Sequence, residues 1–128
     1  MSIKKIIESN KAPEALGPYS VANMHGNIIF TAGQLGIDPA TGEFAPGGIE
    51  AETRQALTNI KNVLEAAGAS LGDVVKTTVF LRDINDFTKM NGVYAQFFTE
   101  NFPARSAVQV AALPKGGAVE IETVAIVS

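Results

Sequence analysis

The order of apolar patterns along this chain predicts an α+β fold, β-β-β-α-β-α-β-β, in which two helices lie on one face of a mixed sheet. Three observations predict it. Two windows, Ile49 to Ala67 and Phe87 to Phe98, repeat apolar residues at helical spacing. Runs rich in β-branched residues and bounded by Gly or Pro fill most of the remainder. The last run has one apolar face and one face that begins acidic and ends apolar.

The chain opens with a short apolar piece, Ile3 to Ile7, the weakest strand of the set. Gly17-Pro18 breaks the chain before Tyr19, where a pre-set turn leads into an extended run. Tyr19 to Met24 and Asn27 to Gln34 read as two strands joined at His25-Gly26-Asn27, which is hairpin chemistry. Asp38-Pro39-Ala40-Thr41-Gly42 is a turn, and Pro46-Gly47-Gly48 extends the loop. In the first helix Ala56, Leu57, Ile60, Val63, Leu64 and Ala67 share a face, and Gly68 ends it as the C′ residue.

Val74 to Leu81 is a strand by its β-branched content. Asp86 caps the second helix, whose stripe is Phe87, Met90, Tyr94, Phe97 and Phe98, and Phe102-Pro103 stops it. Arg105 to Leu113 and Ala118 to Val127 are the last strands, joined by Pro114-Lys115-Gly116-Gly117. On the final strand Val119, Ile121, Ala125 and Val127 face one side; Glu120, Glu122, Val124 and Ile126 face the other. That second face is not suited to water along its whole length, so a partner chain is expected to cover it.

The 128 residues suit one domain, 1–128. A domain of this size hides roughly two thirds of its surface without a disulfide or structural metal. At 46% hydrophobic and 18% charged, the chain is not of the disordered class. With no Cys, disulfides, thiolate metal sites and cysteine nucleophiles are excluded together. A single histidine, His25, cannot build a His-His metal site, and its hairpin position makes it a solvated residue. The net charge of −3 and the scattered basic residues give no footprint for nucleic acid. No apolar stretch could span a membrane, and no apolar region follows Lys4 and Lys5 as in a secretory signal. A soluble cytoplasmic protein is expected.

Of the three arginines, Arg54 sits in a helix and Arg82 ends a strand. Arg105 begins a strand and shares a face with Ala107, Gln109 and Ala111, so there is space before its planar fork for a carboxylate. The plainer alternative is a strand-end arginine paired with a nearby acid. Glu120 and Glu122, at i and i+2 on one face, repel each other, and burial would raise at least one pKa toward general acid–base use. Alternatively one neutralises Arg105 and the other meets solvent. Tyr19 is either a ligand contact or a core ring with its hydroxyl outward. Gly33, in Thr31-Ala32-Gly33-Gln34, marks either a close backbone approach to a ligand or a bulge. Lys115-Gly116-Gly117 lacks the spacing of a phosphate loop, and Ser106 has no evident base.

Taken in order, Gly17-Pro18-Tyr19-Ser20, Phe30-Thr31-Ala32-Gly33-Gln34, Asp38-Pro39-Ala40-Thr41-Gly42, Val75-Lys76-Thr77-Thr78-Val79-Phe80 and Phe102-Pro103-Ala104-Arg105-Ser106 resemble the RidA (YjgF-like) family of enamine/imine deaminases. Val119-Glu120-Ile121-Glu122 fits as well, and the resemblance covers essentially the whole chain. It implies a chorismate mutase-like fold, a homotrimer whose sheets form a central barrel with helices outside. It also implies hydrolysis of 2-aminoacrylate-type enamines and their imine tautomers, such as 2-iminopropanoate and 2-iminobutanoate, to 2-oxo acids and ammonia. The clefts of such a trimer lie between subunits and need no metal or cofactor.

By the same resemblance Arg105 holds the substrate carboxylate and Glu120 positions or activates the attacking water. Tyr19 lines the cleft, Gly33 gives a backbone contact and Asn91 lies near the site. Ala32 and Ala107 stand where many members carry Ser and Cys, which bears on substrate preference and rate. A rival reading is a non-catalytic sensor that holds a 2-oxo acid on the same arginine. A ribonuclease or translation inhibitor ranks last, because the pI is acidic and no aromatic-basic platform is evident. Which of Glu120 and Glu122 faces the cleft is left open by strand parity.

Overall fold

The computed structural model describes residues 3–128. In chain order its elements are β1 (Lys5–Ile7), β2 (Ala22–His25), β3 (Ile28–Thr31), the two-residue strands β4 (Gln34–Leu35), β5 (Ile37–Asp38) and β6 (Glu43–Phe44), α1 (Ile49–Ala66), β7 (Val74–Leu81), α2 (Phe87–Phe97), β8 (Ala104–Gln109) and β9 (Val119–Ile126). The expected α+β order is present, with three two-residue strands added between β3 and α1.

The main sheet runs β1-β2-β3-β9-β7-β8, and β4 also pairs with β9. Only β7 and β8 are parallel, and α2 supplies the crossover that such a pair requires, so the sheet is mixed. Ile29, Val79, Leu81, Val119, Ile121 and Ala125 are fully buried on one sheet face. Ala56, Leu57, Ile60, Val63 and Leu64 of α1 and Met90 of α2 complete that core. Each Val, Leu, Ile or Met side chain among them contributes roughly 1.5–3 kcal/mol on burial.

Local chemistry sets the ends. Gly68, at φ 83, ends α1 as expected. The N–H groups of Gly68 and Ala69 donate to the carbonyls of Glu65 and Leu64, the two bonds of a Schellman cap. Gly26, at φ 60, turns β2 into β3, with His25 paired to Ile28 and exposed. Asp86 precedes α2 without a capping bond from its side chain. Instead Asp83 accepts from the Asn85 N–H and caps the short 3-10 turn Ile84–Asp86 that feeds the helix.

Three strand boundaries differ from the sequence reading, and α2 ends at Phe97, before Phe102-Pro103. The first long strand begins at Ala22, because the Tyr19 N–H turns back to the Gly17 carbonyl at 2.8 Å and takes residues 17–20 out of the sheet. The next strand breaks at Ala32-Gly33 and resumes as β4, with the Ala32 N–H diverted to the Val21 carbonyl. The strand carrying Arg105 ends at Gln109, not Leu113, since its partner β7 ends at Leu81 and the Val110 N–H makes the final bond to the Leu81 carbonyl. Ala111 therefore leaves the face that Arg105 occupies.

On β9, Val119, Ile121, Thr123 and Ala125 are buried, while Glu120 and Val124 are half-buried and Glu122 and Ile126 exposed. The face away from the helices carries paired apolar residues, Ile28 with Ile126 and Phe30 with Val124. Phe30, Val108 and Ile126 are each more than two fifths exposed there. Among the described residues no helix is long and apolar enough to cross a membrane, and no group of three or more His, Cys, Asp or Glu could hold a metal ion.

Candidate active site

Arg105 is the second residue of β8, and its strand partner is Thr77 of β7. Thr77 is fully buried on the helix side, so Arg105 points toward α2. There its Nη1 donates to Asn91 Oδ1 at 2.6 Å. Its guanidinium carbon lies 4.7 Å from the Tyr94 ring centroid and 5.3 Å from that of Phe87. Phe87, Asn91 and Tyr94 fall at i, i+4 and i+7, one stripe of the helix. Ala95, Phe98, Phe102 and Pro103 complete a recess of about 430 Å³ around Arg105.

No carboxylate neutralises Arg105. Among the described residues the one ion pair is Lys61 with Glu65 on α1, so neither Glu120 nor Glu122 pairs with the arginine within the chain. The Tyr94 hydroxyl is bonded to Thr77 Oγ1 at 2.8 Å. Burial pushes the Tyr94 phenol above its ordinary pKa, against the Thr77 bond and the Arg105 charge, so the neutral phenol faces the cation.

Glu120 occupies a different place. It lies on β9 between Leu35 of β4 and Phe80 of β7. Its side chain rests on the backbone of Gly33, where an added Cβ would sit 2.7 Å from Cδ and 2.9 Å from Cγ. A side chain at position 33 and this placement of Glu120 exclude each other. A groove of about 1380 Å³ is lined by Tyr19, Ser20, Gly33, Leu35 and Glu120, with residues 6–16 along its other side. Burial, reinforced by the negative charge of Glu122, holds the Glu120 carboxyl above the usual carboxylate range. Glu122 is exposed and does not line this groove; Glu120 does.

The sequence candidates thus fall into two groups. Arg105 and Asn91 meet in the recess; Tyr19, Gly33 and Glu120 meet in the groove. Ala32 and Ala107 line neither, and Ala107 packs against the core. Arg105 and Glu120 point to opposite faces of the sheet. Arg105 pairs with Thr77 and Glu120 with Phe80, positions of odd separation on β7, and side chains alternate along a strand.

Three contacts escaped the sequence reading. Phe87 and Tyr94 belong to the apolar stripe of α2, Tyr94 in the core and Phe87 packed against it, and both also stack on Arg105; their stripe with Asn91 is the signal that was available. Buried Glu52 of α1 accepts the Ala118 N–H at 2.9 Å and so fixes the entry of β9 two residues before Glu120. Lys76 Nζ donates to Ser106 Oγ at 2.9 Å, a contact that supplies the serine with a cation rather than a base.

A family profile described as Endoribonuclease L-PSP matches residues 9–127. The chain is 56% identical over 124 residues to a 2-iminobutanoate/2-iminopropanoate deaminase of Bos taurus, covering 97% of this chain and 90% of that protein. The crystal structure of RidA from an Antarctic Psychrobacter species matches with a TM-score of 0.93 at 50% identity, over 96% of this chain and 99% of that one. The crystal structure of E. coli TdcF with bound serine gives 0.93 at 47% identity, over 97% and 99% of the two chains. The fold is shared throughout.

Proposed function

This chain belongs to the Endoribonuclease L-PSP family, and from that premise we propose that it is an imine deaminase acting on small 2-imino acids and their enamine tautomers. Water adds to the C=N carbon, the resulting carbinolamine expels ammonia, and a 2-oxo acid remains. An imine carbon is already electrophilic, so the protein needs to orient substrate and water and to move one proton. The reaction as written draws on no cofactor.

The observation that carries this reading is the state of Arg105. Its charge is held by two π faces and a neutral amide, with no acid beside it. Its remaining donors are free to grip a substrate carboxylate in a charge-assisted fork. The serine bound by E. coli TdcF is a small 2-amino acid of the same size class. Glu120, with its raised pKa, orients the water, takes its proton and returns it to the departing nitrogen. Asn91, Tyr19 and the backbone at Gly33 complete the substrate contacts.

Because Arg105 and Glu120 lie on opposite sheet faces, they meet only between copies. A homotrimer brings Arg105 of one protomer to the groove of its neighbour, through a heterologous contact that closes into a ring. The exposed apolar residues Phe30, Val108 and Ile126 on the face away from the helices support such an assembly. The absence of Cys suits the cytoplasm. The family description names a ribonuclease, but a chain of net charge −3 is poorly matched to a phosphate backbone.

A coupled assay tests this. A pyridoxal-phosphate threonine dehydratase generates 2-iminobutanoate, and semicarbazide competes for it. Wild type is expected to outcompete the trap, and Arg105→Ala is not. If neither does, a 2-oxo acid sensor becomes the better description.

A further inference from the structure

β8 is the edge strand of the sheet within the chain, bonded on one side only, to β7. The sheet alone therefore does little to fix the Arg105 side chain, yet a two-bond carboxylate fork needs its plane held. The Asn91 bond uses a single one of the guanidinium's donors. Tyr94 closes a short circuit around the rest. Its ring lies beneath the guanidinium at 4.7 Å, its hydroxyl reaches Thr77 at 2.8 Å, and Thr77 is the strand partner of Arg105 itself. The ring is also braced from behind by Phe98, with centroids 4.7 Å apart.

We propose that Tyr94 is a positioning residue for Arg105: its ring face sets the plane of the guanidinium while leaving the charge unneutralised for the substrate. A carboxylate in the same place would hold the arginine equally well, but it would compete with the substrate for the same donors. A π face attracts the cation without occupying a donor. The hydroxyl acts one step further back, pinning the ring to the strand that Arg105 sits beside. This inference rests on the reading of Arg105 as the carboxylate anchor.

The test is a double-mutant cycle on Arg105→Ala and Tyr94→Met, read as KM and kcat in the coupled assay and as Kd for 2-oxobutanoate by calorimetry. Tyr94→Met alone, with the melting temperature recorded, is expected to raise KM and Kd about tenfold, the scale of a desolvated cation–π contact. Tyr94→Phe keeps the ring and is expected to shift them only two- to threefold. In the Arg105→Ala background Tyr94→Met is expected to change nothing further in Kd. A folded Tyr94→Met with wild-type KM and Kd, or an equal effect with Arg105 absent, overturns the inference. Where Tyr94→Met does not fold, Tyr94→Leu carries the same test, since it too removes the ring face; a folded Tyr94→Leu with wild-type Kd overturns the inference as well. Arg105→Ala with unchanged Kd would instead strike the anchor reading itself, which separates the two failures.

Discussion

The Glu120 carboxyl lies against the bare Cα of Gly33, so closely that a methyl group there would come within 2.7 Å of Cδ and 3.1 Å of Oε1. Gly33 has no left-handed backbone angle to accommodate. The glycine is required by the neighbouring carboxylate and not by the turn.

Gly33→Ala therefore displaces Glu120 while leaving the backbone unstrained. A shift of the proton acceptor by about 1 Å is expected to cost roughly 100-fold in kcat. The check is kcat in the coupled assay beside a melting curve, and a drop in both stability and activity of similar weight would point to general damage instead.

Glu120 must be ionised to accept a proton, and burial with Glu122 nearby raises its pKa. The kcat/KM profile is expected to rise with pH through a midpoint above the ordinary glutamate range. Glu122→Gln removes the repelling charge and should move that midpoint to lower pH. For stability the sign is opposite to a salt-bridged acid. A raised folded pKa contributes stability below the unfolded value and loses it as pH rises through the folded one. Glu120→Gln should thus gain on wild type at neutral pH, with the gain vanishing in acid, as followed by urea unfolding across pH.

Arg105→Lys keeps a charge but loses the planar fork and much of the fit between the Phe87 and Tyr94 rings. Catalytic efficiency is expected to fall about 10- to 100-fold, the worth of one charge-assisted bond. Thermal stability should change little, because no ion pair of Arg105 is lost.

Glu52→Ala leaves the buried Ala118 N–H without its acceptor. Unfolding free energy is expected to fall by about 1–3 kcal/mol, and by less for Glu52→Gln, which can still accept. Chemical denaturation measures both.

Much of this molecule was legible in its sequence. The helical stripes and the alternation along β9 placed both helices and the core face, because burial imposes those periods directly. Strand ends were less legible. β8 stops where β7 stops, and the length of a distant partner leaves no mark on Val110 to Leu113. The need for glycine at position 33 was visible only as an ambiguity, since its cause, the Glu120 side chain, is 87 positions away in the sequence. The candidate residues were found, but their separation was not. Arg105 and Glu120 sit on different strands, and only the register of both against β7 reveals that they face opposite ways. That Phe87 and Tyr94 also pack on a cation was not legible, because an aromatic that does so has the same helical spacing as one that packs on leucine alone.

That opposition makes one measurement decisive. Arg105→Ala and Glu120→Ala are each expected to be inactive in the coupled imine assay. Co-expressed in equal amounts, they form mixed rings in which about a quarter of the clefts pair an intact Arg105 with an intact Glu120 from the neighbouring copy. About a quarter of wild-type activity should return. A mixed preparation as inactive as either variant alone would contradict a site shared between chains.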